Sequence, residues 1–255
     1  MKKHIAIGLA VLSLLLGCSS REKITTLAGL SGGKDFAVPT GTVADKLVTS
    51  KIPDARFKYF NSVLDAAMAV KAGKADAAAY DEPILRNIAA KTPGLAVLPD
   101  PITVDQYGFA ARLDDATLKA AVDAVVAEAK ASGDYQKMLD RWLPKSGAPG
   151  PMPEVPTGTE GVLRFGTASV TEPFSFVDGS QKVVGLDVEI AARVAQRLNR
   201  KLEIVNLEFG ALIPALVAGK VDLIGACITI TEERAKQVLF SAPYYTGGIS
   251  ALVRQ

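Results

Sequence analysis

The sequence predicts an α/β protein of two similar lobes, and three observations carry that prediction. Short apolar runs alternate with stretches of helical periodicity, Ala72-Gly-Lys-Ala-Asp76 is echoed at Ala218-Gly-Lys-Val-Asp222, and residues 144–161, with five prolines and four glycines, interrupt the alternation and divide it into a pair of runs. Strands alternating with helices imply mainly parallel sheets covered by helices on both faces. With 255 residues, 49% hydrophobic and 22% charged, the chain has room for two ordinary domains and the composition of a globular protein.

The first twenty residues are of a different kind. Lys2 and Lys3 precede an apolar run over 5–16, followed by Gly17, Cys18 and two serines. The run is too short to span a bilayer comfortably and has the layout of an export signal. Leu15-Leu16-Gly17-Cys18 resembles a bacterial lipoprotein box, which implies cleavage before Cys18, lipidation of that cysteine and attachment to the cell envelope through lipid alone; Leu16 stands where a small residue is commoner. Loss of Lys2 and Lys3 leaves 27 basic against 27 acidic residues, a balance that argues against general affinity for nucleic acid or anionic membrane. His4, the only histidine, lies in the signal, so the mature chain carries no histidine triad, histidine base or histidine metal site, and no cofactor or metal is expected.

Strands are expected at 36–38, 57–60, 75–79 and 95–98, with helices over 62–72 and 82–90. After Pro101 come a strand over 107–111 and a helix over 114–131 whose Leu118, Val122, Val125 and Ala129 share one face; Gly133 ends it, and a short helix runs over 135–143. The stretch 144–161 is a linker. A fresh unit follows: strand 163–165, helix 186–198 with Leu186, Ile190, Val194 and Leu198 on one face, strand 202–205, helix 211–217 and strand 221–225. Cys227 closes the apolar strand Val221-Asp-Leu-Ile-Gly-Ala-Cys227, where a buried structural thiol is the plain reading.

Several residues at element ends can meet charged groups, a cationic fork suiting a carboxylate and oxygen acceptors suiting an ammonium. Thr231-Glu-Glu-Arg234 reads as a helix start, where free N–H groups favour an anion and Arg234 can add a bidentate contact, although an arginine there is commonly a solvated surface residue. Thr40-Gly-Thr-Val43 is a turn that lets backbone N–H groups approach an anion, and turns of this composition are common. Asp81 closes a strand and precedes Glu82-Pro83, so it serves equally as a helix cap.

Taken together, the motifs resemble the amino-acid-binding family of bacterial extracellular solute-binding proteins. They are Phe165-Gly-Thr-Ala168, Pro173-Phe-Ser-Phe176, Val184-Gly-Leu-Asp187, Phe209-Gly-Ala-Leu-Ile-Pro214, Ile228-Thr-Ile-Thr-Glu-Glu-Arg234 and Phe240-Ser-Ala-Pro-Tyr-Tyr245, with Val38-Pro-Thr-Gly-Thr42, Tyr107-Gly108 and Gly133-Asp-Tyr135. The resemblance implies a periplasmic binding protein type II fold, two Rossmann-like lobes around a ligand cleft. The family's N-terminal motifs stand last in this chain, so the resemblance also implies a circular permutation, with the new ends at the first interlobe crossover and only the crossover near residues 101–106 left covalent. The expected division is a signal over 1–20, one lobe over 22–104, the other over 105–143 plus 162–255, and the linker over 144–161.

By the same resemblance Arg234 grips the ligand's α-carboxylate, with Thr42 and the Val43 amide opposite, while Asp81, Thr229 and the Cys227 carbonyl take its ammonium. Phe209, Phe174, Ala168 and Thr171 line the side-chain pocket. Cationic-ligand relatives carry an acid where this chain has Ala168, which points to a small neutral amino acid unless Glu172 substitutes. The implied function is capture of that amino acid for an ABC-type importer, with the transporter's membrane subunits as partners. A cleft dehydratase using Glu172 or Asp81, and a ligand-sensing receptor module, are the alternatives.

Overall fold

The structure is a computed structural model that describes residues 23–144 and 148–255. The expected export signal, Cys18 and residues 145–147 of the linker lie outside the described residues.

The first lobe begins with β1 (Asp35–Pro39), α1 (Ala44–Lys51), β2 (Arg56–Phe60), α2 (Val63–Lys71), β3 (Ala77–Asp81), α3 (Glu82–Lys91) and β4 (Leu95–Val97). The chain crosses over through β5 (Asp105–Tyr107) and enters the second lobe with β6 (Ala110–Ala111), α4 (Ala116–Ser132) and α5 (Asp134–Trp142). Beyond the linker come β7 (Val162–Thr167), a small antiparallel sheet of β8 (Val170–Thr171), β9 (Ser175–Val177) and β10 (Val183–Val184), then α6 (Leu186–Arg197), β11 (Lys201–Asn206), α7 (Leu212–Val217), β12 (Leu223–Ile224), α8 (Glu232–Ala235) and β13 (Leu239–Phe240). The last strands are β14 (Tyr245–Gly247) and β15 (Ile249–Arg254).

The two large sheets have the orders β2-β1-β3-β15-β4 and β11-β7-β12-β6-β13. Each therefore reads second, first, third, inserted, fourth, and in each the inserted strand is antiparallel and comes from beyond the crossover. The echoed pentapeptides account for much of this likeness. Gly73 and Gly219 have φ of +74° and +68°, a conformation that ends a helix cheaply only in glycine. The N–H groups of Lys74 and Lys220 return to the Ala69 and Ala215 carbonyls, 2.8 and 2.9 Å away. Asp76 and Asp222 then bind the first strand of their own sheet twice, through N–H to the carbonyl of Asp35 or Arg164 and through Oδ2 to the N–H of the same residue.

Both sheets are buried on two faces. In the first lobe Phe36, Val38, Ala77, Ala79, Ile249, Ala251 and Val253 face α1, while Ala37, Ala78, Tyr80 and Leu252 face α2 and α3. Such strands read as continuous apolar runs. In the second, Leu163, Phe165 and Leu223 join the core under α4 and α6, and Trp142 of α5 donates its indole N–H to the fully buried Glu189.

Two expectations about chain order are corrected here. Residues 162–255 do not all lie in one lobe, because β15 inserts between β3 and β4 of the other; its first five residues, Ile249 to Val253, are all buried, as a central strand requires. Nor is there one covalent crossover: β5 and β14 both cross, paired antiparallel through Tyr107 with Tyr245, Gln106 with Thr246 and Asp105 with Gly247. The linker joins α5 to β7 within the second lobe and is tied to it by the N–H groups of Gly150 and Gly158, donating to the carbonyls of Arg141 and Arg200.

Candidate functional site

In an open sheet of this winding, ligands bind beyond the carboxyl ends of the strands, where neighbouring strands send their connections to opposite faces. The candidate residues gather there in both lobes. From the first lobe come the turn after β1, Thr40 to Val43, and Asp81 at the end of β3. From the second come the loop after β12, Cys227 to Arg234, and Phe209 with Gly210 ahead of α7.

Arg234 is only 7% exposed. The Thr231 hydroxyl caps its short helix by accepting the Arg234 N–H at 3.2 Å, which fixes the side chain's origin. The guanidinium donates to the Thr229 carbonyl at 3.0 Å and, across the lobes, to the Gly41 carbonyl at 3.3 Å, and sits 5.5 Å from the Phe209 ring centre. Burial pulls its pKa down, and the nearby Asp81 charge opposes that shift. Gly41, at φ +80°, lets this approach occur: a Cβ there would fall 2.7 Å from the Gly210 Cα. A cavity of about 30 Å³ lies at this junction, lined by Gly41, Phe209, Leu212, Ile213, Ile228 and Arg234.

Asp81 is 4% exposed. It does not cap α3 through its side chain; its Oδ1 accepts the Tyr107 hydroxyl from β5 instead. Desolvation pushes its pKa up to about 7, the Asp105 charge acting in the same sense, while the Tyr107 bond and the Arg234 charge hold it down. Arg234 and Asp81 are thus opposite charges, one from each lobe, buried within each other's field.

The other expected residues divide. Thr229 presents its carbonyl to Arg234 and bridges to Tyr107 through the backbone. Cys227 is buried with φ +52°, and its N–H donates to Asp187 Oδ2 at 3.1 Å; burial pushes its thiol up. The Thr42 hydroxyl donates to the Pro39 carbonyl at 2.9 Å, and Val43 stands at the N-cap of α1. Phe174 lies not at the Arg234 cavity but in an aromatic cluster, 5.1 Å from Tyr245 and 6.3 Å from Tyr107. Ala168 packs with Leu212 and Ile228, and the Thr171 hydroxyl donates to the Ala168 carbonyl. Glu172 is engaged with Lys91 of the first lobe at 2.6 Å.

Tyr107 and Asp187 bond expected site residues, Asp81 and Cys227, without having been expected themselves, and Gly41 was expected only as the glycine of its turn. A buried phenol needs a hydrogen-bond partner, but nothing in the spacing names Asp81 as that partner. Asp187 is fully buried, and burial pushes its pKa up to about 7. A larger cavity of about 490 Å³ between α3 and the linker is lined by Arg86, Glu82, Trp142, Pro149 and Tyr245, but its cation is already paired with Glu82.

Residues 163–255 match the profile of the bacterial extracellular solute-binding proteins, family 3. The chain is similar to the arginine-binding extracellular protein ArtP of Bacillus subtilis, 40% identical over 84 residues that cover 33% of this chain and 32% of ArtP. It is also similar to the L-cystine-binding protein TcyJ of Escherichia coli, 32% identical over 95 residues, 37% of this chain and 36% of TcyJ. Among solved structures, the arginine-bound form of domain 1 from TmArgBP is 41% identical, covering 37% of this chain and 81% of that one, with a TM-score of 0.33. The chain spans about a third of the length of the curated relatives it matches.

Proposed function

We propose that this chain, whose residues 163–255 match the bacterial extracellular solute-binding proteins, family 3, captures a small neutral amino acid between its lobes and delivers it to an ABC-type importer. One observation carries the reading: Arg234 and Asp81 are buried opposite charges on facing lobes, the pairing that a zwitterion's two ends require. A ligand that contacts both lobes favours their closed arrangement by its differential affinity for it. Relatives are named for arginine and cystine, but two features favour a neutral side chain here. Ala168 brings no carboxylate, and Glu172 is tied to Lys91. That ion pair also weighs against a dehydratase using Glu172 as its acid.

The lobe pattern, with a family match over residues 163–255, supports a circularly permuted type II periplasmic binding fold. Export and lipid attachment at Cys18 complete the proposal; loss of labelled palmitate in Cys18→Ser tests them. The main test is a thermal-shift screen of the mature protein against the twenty amino acids. A ligand at 100 times its Kd adds about 2.7 kcal/mol of stability. A small neutral amino acid is expected to give the largest shift; a larger shift with arginine, or none with any amino acid, overturns the assignment.

A further inference from the structure

Tyr107 lies where the two crossovers and both charged elements meet. Its side chain is fully buried, its ring stacked on Tyr245 at 5.8 Å and edge-on to Phe174. Its hydroxyl donates to Asp81 Oδ1 and accepts the N–H of Gly248 at 3.1 Å. The Gly248 carbonyl in turn accepts the Glu82 N–H at 2.9 Å, so the bonds form a ring from Asp81 through β5 and the end of β14 back to the residue after Asp81. The backbone of Tyr107 also reaches the second lobe: its carbonyl accepts the Tyr244 N–H at 3.0 Å, and it bridges to Thr229, whose carbonyl holds Arg234. There is no slack at this point, since a Cβ on Gly247 would fall 2.6 Å from the Tyr107 hydroxyl.

We propose that Tyr107 is a positioning residue for this site: its hydroxyl orients the Asp81 carboxylate and ties it to both crossovers, so that Asp81 meets a ligand's ammonium only in the lobe arrangement those strands set. This rests on the ligand role of Asp81 proposed above. Nothing else within the ring can supply the bond, because tyrosine is its only side-chain donor. The groups that act on Asp81 are the Tyr107 hydroxyl, through its hydrogen bond, and Asp105 from β5 and Arg234 from α8, through their charges; Tyr80 beside it in β3 and Cys227, both raised first by burial, feel the Asp81 charge in turn.

The test is a carbon-13 NMR titration of the Asp81 carboxyl, without ligand, in the mature chain and in Tyr107→Phe, which keeps the ring and removes the hydroxyl. A donor to the charged form favours ionisation, so its removal is expected to raise the Asp81 midpoint by about one unit, tenfold in proton affinity. A folded Tyr107→Phe protein with an unmoved midpoint overturns the proposal. Asp81→Asn gives the reciprocal measurement should Tyr107→Phe fail to fold. The Tyr107 phenol, held well above the ordinary tyrosine value by burial and then by the Asp81 charge, is expected to titrate lower; an unchanged phenol overturns the proposal equally. Neither arm uses a ligand, so failure of the amino-acid screen and failure of the Tyr107 assignment are told apart.

Discussion

The two lobes share a strand order and a helix-to-strand turn but differ in the charge they bury. The first brings one buried carboxylate to the cleft, Asp81, in a lobe whose other buried residues are almost all apolar. The second brings a cation, Arg234, and also buries Asp187 and Glu189 in α6. Those anions are treated differently: Glu189 is paired with Arg141, Arg193 and the Trp142 indole, whereas Asp187 accepts the Cys227 N–H and, among the described residues, enters no ion pair. A common scaffold thus supplies equivalent strand ends, and the side chains at those ends make the lobes complementary rather than identical.

The severest way to break that comparison is Arg234→Ala. Truncating one member of a buried, hydrogen-bonded charge pair costs roughly 2–5 kcal/mol, so ligand affinity is expected to fall by at least about 30-fold and the thermal shift to vanish. A retained shift places the carboxylate elsewhere. Next comes Gly41→Val, which puts a branched side chain at φ +80° and against Gly210. It is expected to hold the lobes apart, enlarging the radius of gyration of the liganded protein by solution scattering; an unchanged radius shows that this contact does not govern closure.

A smaller effect separates the lobes by pH. Asp81 and Asp187 titrate near 7 in the folded protein and near the ordinary aspartate value when unfolded. Between about pH 4 and 7 the folded state therefore binds more protons, and stability falls as pH rises through that window. Asp187→Asn, which keeps an acceptor for Cys227, is expected to flatten the fall in Tm, while ligand affinity at Asp81 still rises with pH through 7. Equal slopes in wild type and variant remove Asp187 from the explanation. The smallest effect belongs to Lys46 and Glu233, an interlobe pair with side chains 65% and 68% exposed. Lys46→Ala is expected to shift Tm only marginally in low salt, with the difference lost in high salt.

Much of each lobe was legible in the residues. The alternating runs located most of the larger sheet strands and the main helices, and the paired Ala-Gly-Lys-Xaa-Asp turns announced two units of one build. What escaped was the partnering of short segments: Ile249 to Val253 has an apolar run suited to either lobe, and periodicity says nothing about which sheet receives it. Asp81 illustrates the same boundary. Its place before Glu82-Pro83 fits a helix cap as well as a ligand acceptor, and only the approach of Tyr107, 26 residues away, turned the side chain from the helix.

The sequence by itself determined the local chemistry: where helices stop, which faces are apolar, and that an arginine and an aspartate stand at element ends. Tertiary structure alone decided that these two are buried across one junction, that both crossovers are continuous, and that a tyrosine from one of them holds the aspartate. The physical reason is range. Propensity and periodicity act over a few residues, whereas desolvation and hydrogen-bond partnership depend on which distant strands the packed core brings side by side.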